Sequence, residues 1–262
     1  MNEPFLTIIT VTFNDLRGFV QSYESISNFI DDDIQWLIKD GGSDEKILNK
    51  IKKMTIHKNI KLISSKDKGT YNAMNKALNL ANGKWLIFMN GGDSFTQKKI
   101  LSKVKNFVRN NKLNSNKKNI ILGNYNLIFK FGKKNFVRSR KISSCKGINS
   151  YRMPTCHQAQ FFSKSIYSNL RFREYLIISA DHAYFWEAVL SGANISYLDE
   201  TVCNFKTGGQ SYNKNIKSIR DVYFSLKNIQ KLNNFTIFVS IVKRFIAYYF
   251  ILLHEFFILN FR

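Results

Sequence analysis

Four times within residues 5–93 the chain runs an apolar stretch into a polar or glycine-rich turn, and this recurrence constrains the fold more than any other feature. Phe5 to Phe13 is β-rich and ends at Asn14-Asp15, and Ile34 to Ile38 is closed by Asp40-Gly41-Gly42-Ser43-Asp44. Ile60 to Ser64 leads to Asp67, and Trp85 to Met89 runs straight into Asn90-Gly91-Gly92-Asp93. Between these runs, Leu16 to Ile30, Glu45 to Met54 and Thr70 to Asn82 carry helical periodicity, the last with Gly83 placed to cap it in the left-handed conformation. Strand and helix alternating at this pitch predict right-handed crossovers and an α/β fold with a mostly parallel central sheet flanked by helices. In such sheets ligands collect at the carboxyl ends of the strands, where Asn14, Asp40, Asp67 and Asp93 all fall.

Beyond Asp93 the rhythm changes. Lys98 to Asn110 reads as a basic helix, and Ile120 to Phe131 and Phe136 to Ile142 as antiparallel strands. A polar loop from Cys145 to Met153 precedes His157-Gln158, a helix spans Ser179 to Gly192, and Ile195 to Phe205 is a closing strand. From Asn213 onward the pattern is helical, basic at first and then strongly apolar. This divides the chain into a catalytic-type domain over 1–212, with halves 1–93 and 94–212, and a tail over 213–262.

The tail from Phe235 to Arg262 is interrupted by Lys243-Arg244 and His254-Glu255, so no uncharged run reaches the roughly 20 residues that a bilayer span needs. Ser240, Lys243, Arg244, Ala247 and His254 fall near one helical face, with Lys214, Lys217, Arg220, Lys227 and Lys231 ahead of them. An in-plane helix on anionic headgroups fits this pattern, as does a helix packed on the catalytic domain or on a second subunit in a homodimer. The net charge of +22 draws such a chain toward polyanions: anionic lipid, phosphorylated substrates or nucleic acid. Compositional drift in a Lys-, Asn- and Ile-rich sequence explains the charge equally well. Cys145, Cys156 and Cys203 are widely spaced and odd in number, which favours a reducing cytoplasm over a disulfide framework or a zinc site. Met1-Asn2-Glu3-Pro4 lacks the basic cluster of a secretory leader.

Each polar turn has a plain reading and a functional one. Asp40-Gly41-Gly42-Ser43-Asp44 serves as a strand-to-helix turn, or as a loop whose Asp40 accepts from a base imide or ribose hydroxyl. Asp93 after an apolar strand suits a hard divalent cation bridging a diphosphate, provided that phosphate oxygens and water complete its ligands; otherwise it too is a turn. Asp181 serves as a helix cap or as a general base, and the pair His157-Gln158 as a contact to diphosphate or acceptor, unless His157 is a structural histidine.

Taken together, these pieces resemble the family 2 glycosyltransferases of the GT-A (nucleotide-diphospho-sugar transferase) fold, especially small members from O-antigen, colanic-acid and capsule clusters. The resemblance rests on Thr10-Val11-Thr12-Phe13-Asn14, Lys39-Asp40-Gly41-Gly42-Ser43-Asp44, Asp67-Lys68-Gly69-Thr70-Tyr71-Asn72-Ala73-Met74-Asn75 and Asn90-Gly91-Gly92-Asp93. His157-Gln158-Ala159-Gln160-Phe161-Phe162, Ala180-Asp181-His182-Ala183-Tyr184-Phe185 and Gly208-Gly209-Gln210-Ser211 complete it, in family order over residues 5–212. It implies that Thr10, Thr12, Asn14 and Asp40 line a uridine pocket with Asp40 on the uracil, and that Asp67, Lys68 and His157 lie beside the nucleotide. Asp93 would be the ligand of Mn2+ or Mg2+, the last residue of an Asp-x-Asp motif whose earlier Asp is missing here. Asp181 would be the catalytic base, with Ala180 where the family often has Glu.

The implied activity is a non-processive, inverting transfer of a hexose or N-acetylhexosamine from a UDP-sugar to a saccharide on undecaprenyl diphosphate. Its implied place is the inner face of the bacterial cytoplasmic membrane, the enzyme being cytoplasmic and peripheral. Processive members carry Gln-x-x-Arg-Trp, which is absent: Trp36, Trp85 and Trp186 lie elsewhere. Charge alone suggests the rival of a nucleic-acid-binding protein, but no helix-turn-helix, zinc-ligand or RNA-binding aromatic motif supports it, and nucleic acid is not expected as a partner. A sugar nucleotidyltransferase would want a glycine-rich, Arg-containing first loop, which Thr12-Phe13-Asn14 does not supply. An inactive homologue that binds UDP-sugar is the remaining alternative.

Overall fold

Strand β1 (Leu6–Thr12) is buried along all seven residues, as a strand covered on both faces must be. In this computed structural model it pairs in parallel with β2 (Ile34–Asp40), from Leu6↔Ile34 to Thr12↔Asp40. Outside β2 lies β3 (Ile60–Ser64), also parallel. On the other side of β1 the chain returns as β4 (Trp85–Phe88), in register Leu6↔Trp85. The strand order therefore reverses between β1 and β4. A crevice opens beyond their carboxyl ends, the position at which α/β sheets bind ligands. The structure describes residues 3–131, 134–142, 153–206 and 215–229, and of the remainder only 233–235, 237–239, 241–242 and 246.

The second half adds β5 (Ser94–Phe95), β6 (Asn119–Phe131), β7 (Lys134–Arg140), β8 (Gln160–Ser163) and β9 (Asn194–Lys206). The full order is β3-β2-β1-β4-β8-β6-β9-β5, with β7 hairpinned onto β6. Pairing is parallel across β1–β4 and again between β6 and β9, and antiparallel where β8 enters between β4 and β6. Strand β8 is absent from the sequence reading, because four buried residues, Gln160-Phe161-Phe162-Ser163, carry neither alternation nor length. Because β8 runs against β4, the segment entering it, residues 157–159, lies at the carboxyl end of β4.

Helices α1 (Leu16–Ile26) and α2 (Glu45–Met54) cover one face of the sheet together with α4 (Ile100–Asn110), packing Phe19, Ile26, Ile51, Ile100 and Val104 on Ile8, Trp36 and Ile87. On the other face, α3 (Thr70–Leu78) and α6 (Ala180–Leu190) pack Met74, Ala77, Ala183 and Tyr184 on Ile9, Leu37, Leu86 and Phe88. A short α5 (Lys164–Tyr167) follows β8. Helix α3 ends at Leu78, four residues before the expected stop at Asn82, and Gly83 is not among the glycines of positive φ. Its lack of a side chain answers a close approach instead: a Cβ there would lie 2.6 Å from the Thr7 amide nitrogen. The Gly83 amide donates to Thr7 Oγ1 at 2.9 Å and its carbonyl accepts from the Tyr167 hydroxyl.

Helix α7 (Asn215–Phe224) runs into a π-helical turn over Ser225–Ile229. Asp221 accepts from the Ile178 amide at 2.7 Å, and Ser225 Oγ lies 3.0 Å from His182 Nδ1. The first stretch of the tail is thus packed on the catalytic-type domain behind the start of α6. The Gly208–Ser211 motif, the loop from Cys145 to Arg152 and most of the basic stripe proposed for membrane contact lie outside the described residues. Among the described residues, no helix is long and apolar enough to cross a membrane.

Gly83→Ala should destabilise the fold by about 1–3 kcal/mol, the usual cost of overpacking. Urea unfolding followed by circular dichroism measures this, and an unchanged midpoint would mean that the β1 contact yields freely.

Candidate active site

The crevice has a loop side and a carboxylate side. On the loop side, Asn14 turns the chain after β1 with φ 49°, donates its amide to Ser43 Oγ at 2.7 Å, and accepts from the Asp44 amide at 2.8 Å. Asp40 ends β2 fully buried. Its carboxylate accepts from the Gly42 and Ser43 amides at 3.0 Å, from Ser64 Oγ at 2.6 Å and from the Ser43 hydroxyl. Burial acts to raise its pKa, but these donors outweigh burial and hold it below the usual carboxylate range. Through these contacts Asp40 braces the Gly41–Asp44 loop from within.

Thr10 is likewise internal, donating to the Met89 carbonyl at 2.7 Å and accepting from Trp36 Nε1 at 2.9 Å. The Thr12 hydroxyl is buried with no hydrogen-bond partner, so it is the polar atom on β1 that retains capacity. Asp67 is gripped by two lysines, Lys39 Nζ at 2.6 Å and Lys76 Nζ at 2.7 Å. Lys39 is itself buried and also donates to the Ser65 carbonyl at 2.7 Å. Lys68 is exposed, its amide donating to Asn72 Oδ1 at 3.2 Å. Phe13, to which sequence reasoning assigned no role, is 59% exposed and lies against Gly41, giving this rim an open aromatic face.

The carboxylate side draws together residues far apart in sequence. The turn Asn90–Asp93 is tied to α1 through Ser22, whose Oγ lies 2.8 Å from the Asn90 carbonyl, 2.7 Å from the Asp93 carbonyl and 3.1 Å from the Gly92 amide. Gly92 at φ 96° lets the backbone turn there. Asp93 is buried, and accepts from Gln158 Nε2 at 2.6 Å and more distantly, at 3.4 Å, from the Lys206 amide. Burial is the largest influence on this carboxyl and pushes its pKa up to about 6.

Asp181 opens α6 and keeps 24% of its side chain exposed. One oxygen, Oδ1, takes the His182 amide at 2.8 Å and lies 3.4 Å from the Tyr71 hydroxyl. The other, Oδ2, meets His157 Nδ1 at 3.2 Å. Burial would raise the Asp181 pKa, but the His157 contact and the His182 amide prevail, and it stays below the ordinary carboxylate range. On the far side of the ring, Asn90 Nδ2 lies 3.0 Å from His157 Nε2. With Asn90 donating there, the imidazole is in its Nδ1–H tautomer and donates to Asp181.

Asp93, His157 and Asp181, all expected at the site, therefore share one cluster, while Thr10, Asn14, Asp40 and Asp67 shape the loops beside it. Asn90 and Tyr71 are its unforeseen members. Both stood inside quoted motifs, but only the fold places their side chains against His157 and Asp181. Two thiols also meet behind the cluster: Cys156 Sγ and Cys203 Sγ are 3.6 Å apart as free cysteines, a proximity that spacing along the chain could not show.

As for a cation, no group of three His, Cys, Asp or Glu side chains among the described residues could hold one. Asn90 Oδ1 and Gln158 Oε1, however, are buried without partners in this cluster. With the Asp93 carboxylate these are hard oxygens of the kind that Mg2+ or Mn2+ takes, and diphosphate and water would have to supply the remaining ligands.

The raised Asp93 pKa has a stability consequence. The folded state holds this proton more tightly than the unfolded state, so the stabilisation is complete below about pH 4 and is lost as pH rises through about 6. A shift of this size corresponds to about 3 kcal/mol at most. In metal-free buffer at pH 7.5, Asp93→Asn should therefore unfold at a higher temperature than the native protein, with the gap closing at pH 4.5. Thermal scans at the two pH values measure it, and a gap that is independent of pH would contradict the assignment.

Known proteins resemble this chain in sequence and in fold. The description "Glycosyl transferase family 2" matches residues 7–170, more than half of the chain. A PGL/p-HBAD biosynthesis glycosyltransferase of Mycobacterium tuberculosis is 29% identical over 116 residues, 41% of this chain. That alignment spans 43% of the mycobacterial protein, less than half its length. An uncharacterized glycosyltransferase of Methanocaldococcus jannaschii is 23% identical over 99% of this chain and 93% of its own. Among solved structures, S. aureus TarS in complex with UDP-GlcNAc superposes with a TM-score of 0.70 at 15% identity, covering 92% of this chain and 72% of that one. The mannosyltransferase PcManGT of Pyrobaculum calidifontis, in complex with GDP-Man and Mn2+, gives 0.64 at 11% identity, covering 94% and 75%. With a sheet that reverses order between β1 and β4 and a family match that runs through both, the chain belongs to glycosyl transferase family 2 and has the GT-A fold.

Proposed function

We propose that this chain transfers a single hexose or N-acetylhexosamine from a UDP-sugar to an acceptor hydroxyl, with inversion. The observation that carries the reading is the pairing of two unlike carboxylates in the crevice between β1 and β4. Asp93 is sealed from water and proton-retaining, whereas Asp181 is partly open and kept ionised. An ionised carboxylate facing solvent suits removal of the proton from the attacking hydroxyl as the new bond forms to the anomeric carbon. A buried carboxylate flanked by unpartnered amide oxygens suits the diphosphate end. There a divalent cation held by Asp93 would supply neutralisation of the charge that develops on departing UDP. TarS and PcManGT, solved with UDP-GlcNAc and with GDP-Man and Mn2+, support a nucleotide-sugar donor. On the loop side, the Thr12 hydroxyl and the Phe13 ring are the groups with capacity for a nucleoside, and the loop braced by Asp40 gives them their shape.

For the acceptor we favour a saccharide on a polyprenyl diphosphate such as undecaprenyl diphosphate, in O-antigen, capsule or exopolysaccharide assembly. The enzyme would then work as a peripheral protein on the inner face of the cytoplasmic membrane. The net charge of +22 and the cationic run that opens the tail support attraction to an anionic surface.

Asp181→Asn should lower turnover by roughly 10²–10⁴, the usual contribution of a general base, and leave UDP affinity nearly unchanged. Asp93→Ala should abolish transfer and its dependence on Mn2+ or Mg2+ while the fold persists. Donor turnover with a panel of UDP-sugars and calorimetry with UDP decide both. Normal turnover in Asp181→Asn would move the base elsewhere, and wild-type activity of Asp93→Ala in EDTA would remove the metal role.

The membrane reading predicts that the full chain sediments with vesicles rich in anionic lipid, that added salt weakens this, and that phosphatidylcholine vesicles do not bind. A protein that ignores both kinds of vesicle would leave the tail to protein packing.

A further inference from the structure

We propose that His157 is a positioning residue for the transfer, and that with Gln158 it forms a clamp fixing the two functional carboxylates relative to each other; the inference rests on Asp181 being the base. The two residues are neighbours in a single 3₁₀ turn, His157–Ala159, yet each holds a different carboxylate. His157 Nδ1 lies 3.2 Å from Asp181 Oδ2, and Gln158 Nε2 lies 2.6 Å from Asp93 Oδ2. Consecutive side chains of a tight turn diverge, so one rigid element sets the distance between the acceptor end and the diphosphate end.

The turn is itself anchored. The Ala159 amide donates to the Cys156 carbonyl at 3.0 Å, Gln160 Nε2 to the Thr155 carbonyl at 3.1 Å, and Thr155 Oγ1 to the Gly123 carbonyl at 2.8 Å. Directly after it, β8 is locked between β4 and β6.

The division of labour on Asp181 makes His157 decisive. Oδ1 takes the His182 amide at 2.8 Å, while the Tyr71 hydroxyl, which donates to the Ile178 carbonyl, lies 3.4 Å from it, so rotation of the carboxyl group is opposed at Oδ2 by His157. The imidazole is fixed in turn by Asn90 at 3.0 Å and lies edge-on to Phe88 with ring centroids 6.4 Å apart. Asn90 belongs to the turn that carries Asp93, so the ring is referenced to the diphosphate end as well. A direct role for His157 on diphosphate would need Nε2, and Asn90 already occupies that atom.

Two amide substitutions separate the roles of the two ring nitrogens. In His157→Asn, Nδ2 stands near the position of the imidazole Nδ1; in His157→Gln, Nε2 stands near that of the imidazole Nε2. We expect His157→Ala to lose about 10²-fold in kcat, the scale of a misplaced catalytic group, with UDP affinity and donor KM unchanged. His157→Asn should recover part of that loss and His157→Gln none. Gln158→Ala should show the opposite split, weakening UDP binding in Mn2+ as read by calorimetry.

Recovery by Gln rather than Asn, together with weaker UDP binding in His157→Ala, would assign His157 to the diphosphate and overturn the proposal. Wild-type kcat in all three His157 variants would overturn it as well, and unchanged UDP affinity in Gln158→Ala would remove the Asp93 half of the clamp. If His157→Ala does not fold, the comparison of Asn with Gln still decides. A native protein that binds UDP yet releases no sugar from any UDP-sugar tested would instead sink the transferase reading.

Discussion

Withdrawing the Asp93 carboxylate from water sets the terms for the architecture around it. A buried carboxylate must be met by donors or remain protonated, and here both responses are visible: Gln158 approaches to 2.6 Å and the pKa rises to about 6. Gln158 can reach Asp93 only because β8 runs antiparallel to β4 and brings the residues before it to the end of the parallel strands. The same arrangement delivers His157 to Asp181. An element only four residues long therefore organises a site whose members lie up to 110 positions apart, from Tyr71 to Asp181.

The loop side follows a different logic. Lys39 and Asp67 are nearly sealed from solvent, and burying such a pair costs desolvation that its attraction barely offsets. What the arrangement yields is shape. Lys39 ties the end of β2 to the carbonyl of Ser65, and Asp40 ties the Gly41–Asp44 loop to Ser64. The loops after β2 and β3 are therefore joined by buried polar contacts rather than by apolar packing. A rim built in this way has the strand-end acids as internal struts and the Phe13 ring exposed upon it.

Behind Asp181, α7 holds the approach to α6. Asp221 receives the Ile178 amide, and the carbonyl of the same residue receives the Tyr71 hydroxyl at 2.5 Å. The backbone of Ile178, three residues before Asp181, is thus pinned by Tyr71 of α3 on one side and by Asp221 of α7 on the other. A helix that looked in sequence like the start of a separate tail contributes to the geometry of the site through this contact.

Periodicity in residues 5–93 was enough to read the order of strands and helices. A parallel strand buried on both faces must be apolar throughout, and each turn at its end must be polar or glycine-rich. Helix α2 and strand β3 fall where the pattern places them, at Glu45–Met54 and Ile60–Ser64. Three of the motif residues, Asp93, His157 and Asp181, also converge in one cluster. Local pattern could not tell which strand-end acids are saturated with donors and which are not, because Asp40 and Asp93 look alike in sequence and differ only in the donors that the fold brings to them. Nor could it supply β8, too short to show a period, or the true reason for Gly83, which is the proximity of β1. Composition and strand-end chemistry were determined by the sequence alone. The pairing of Asn90 with His157, of His157 with Asp181 and of Gln158 with Asp93 was decided by tertiary structure, since hydrogen bonds between distant residues exist only once the sheet has fixed where each strand ends.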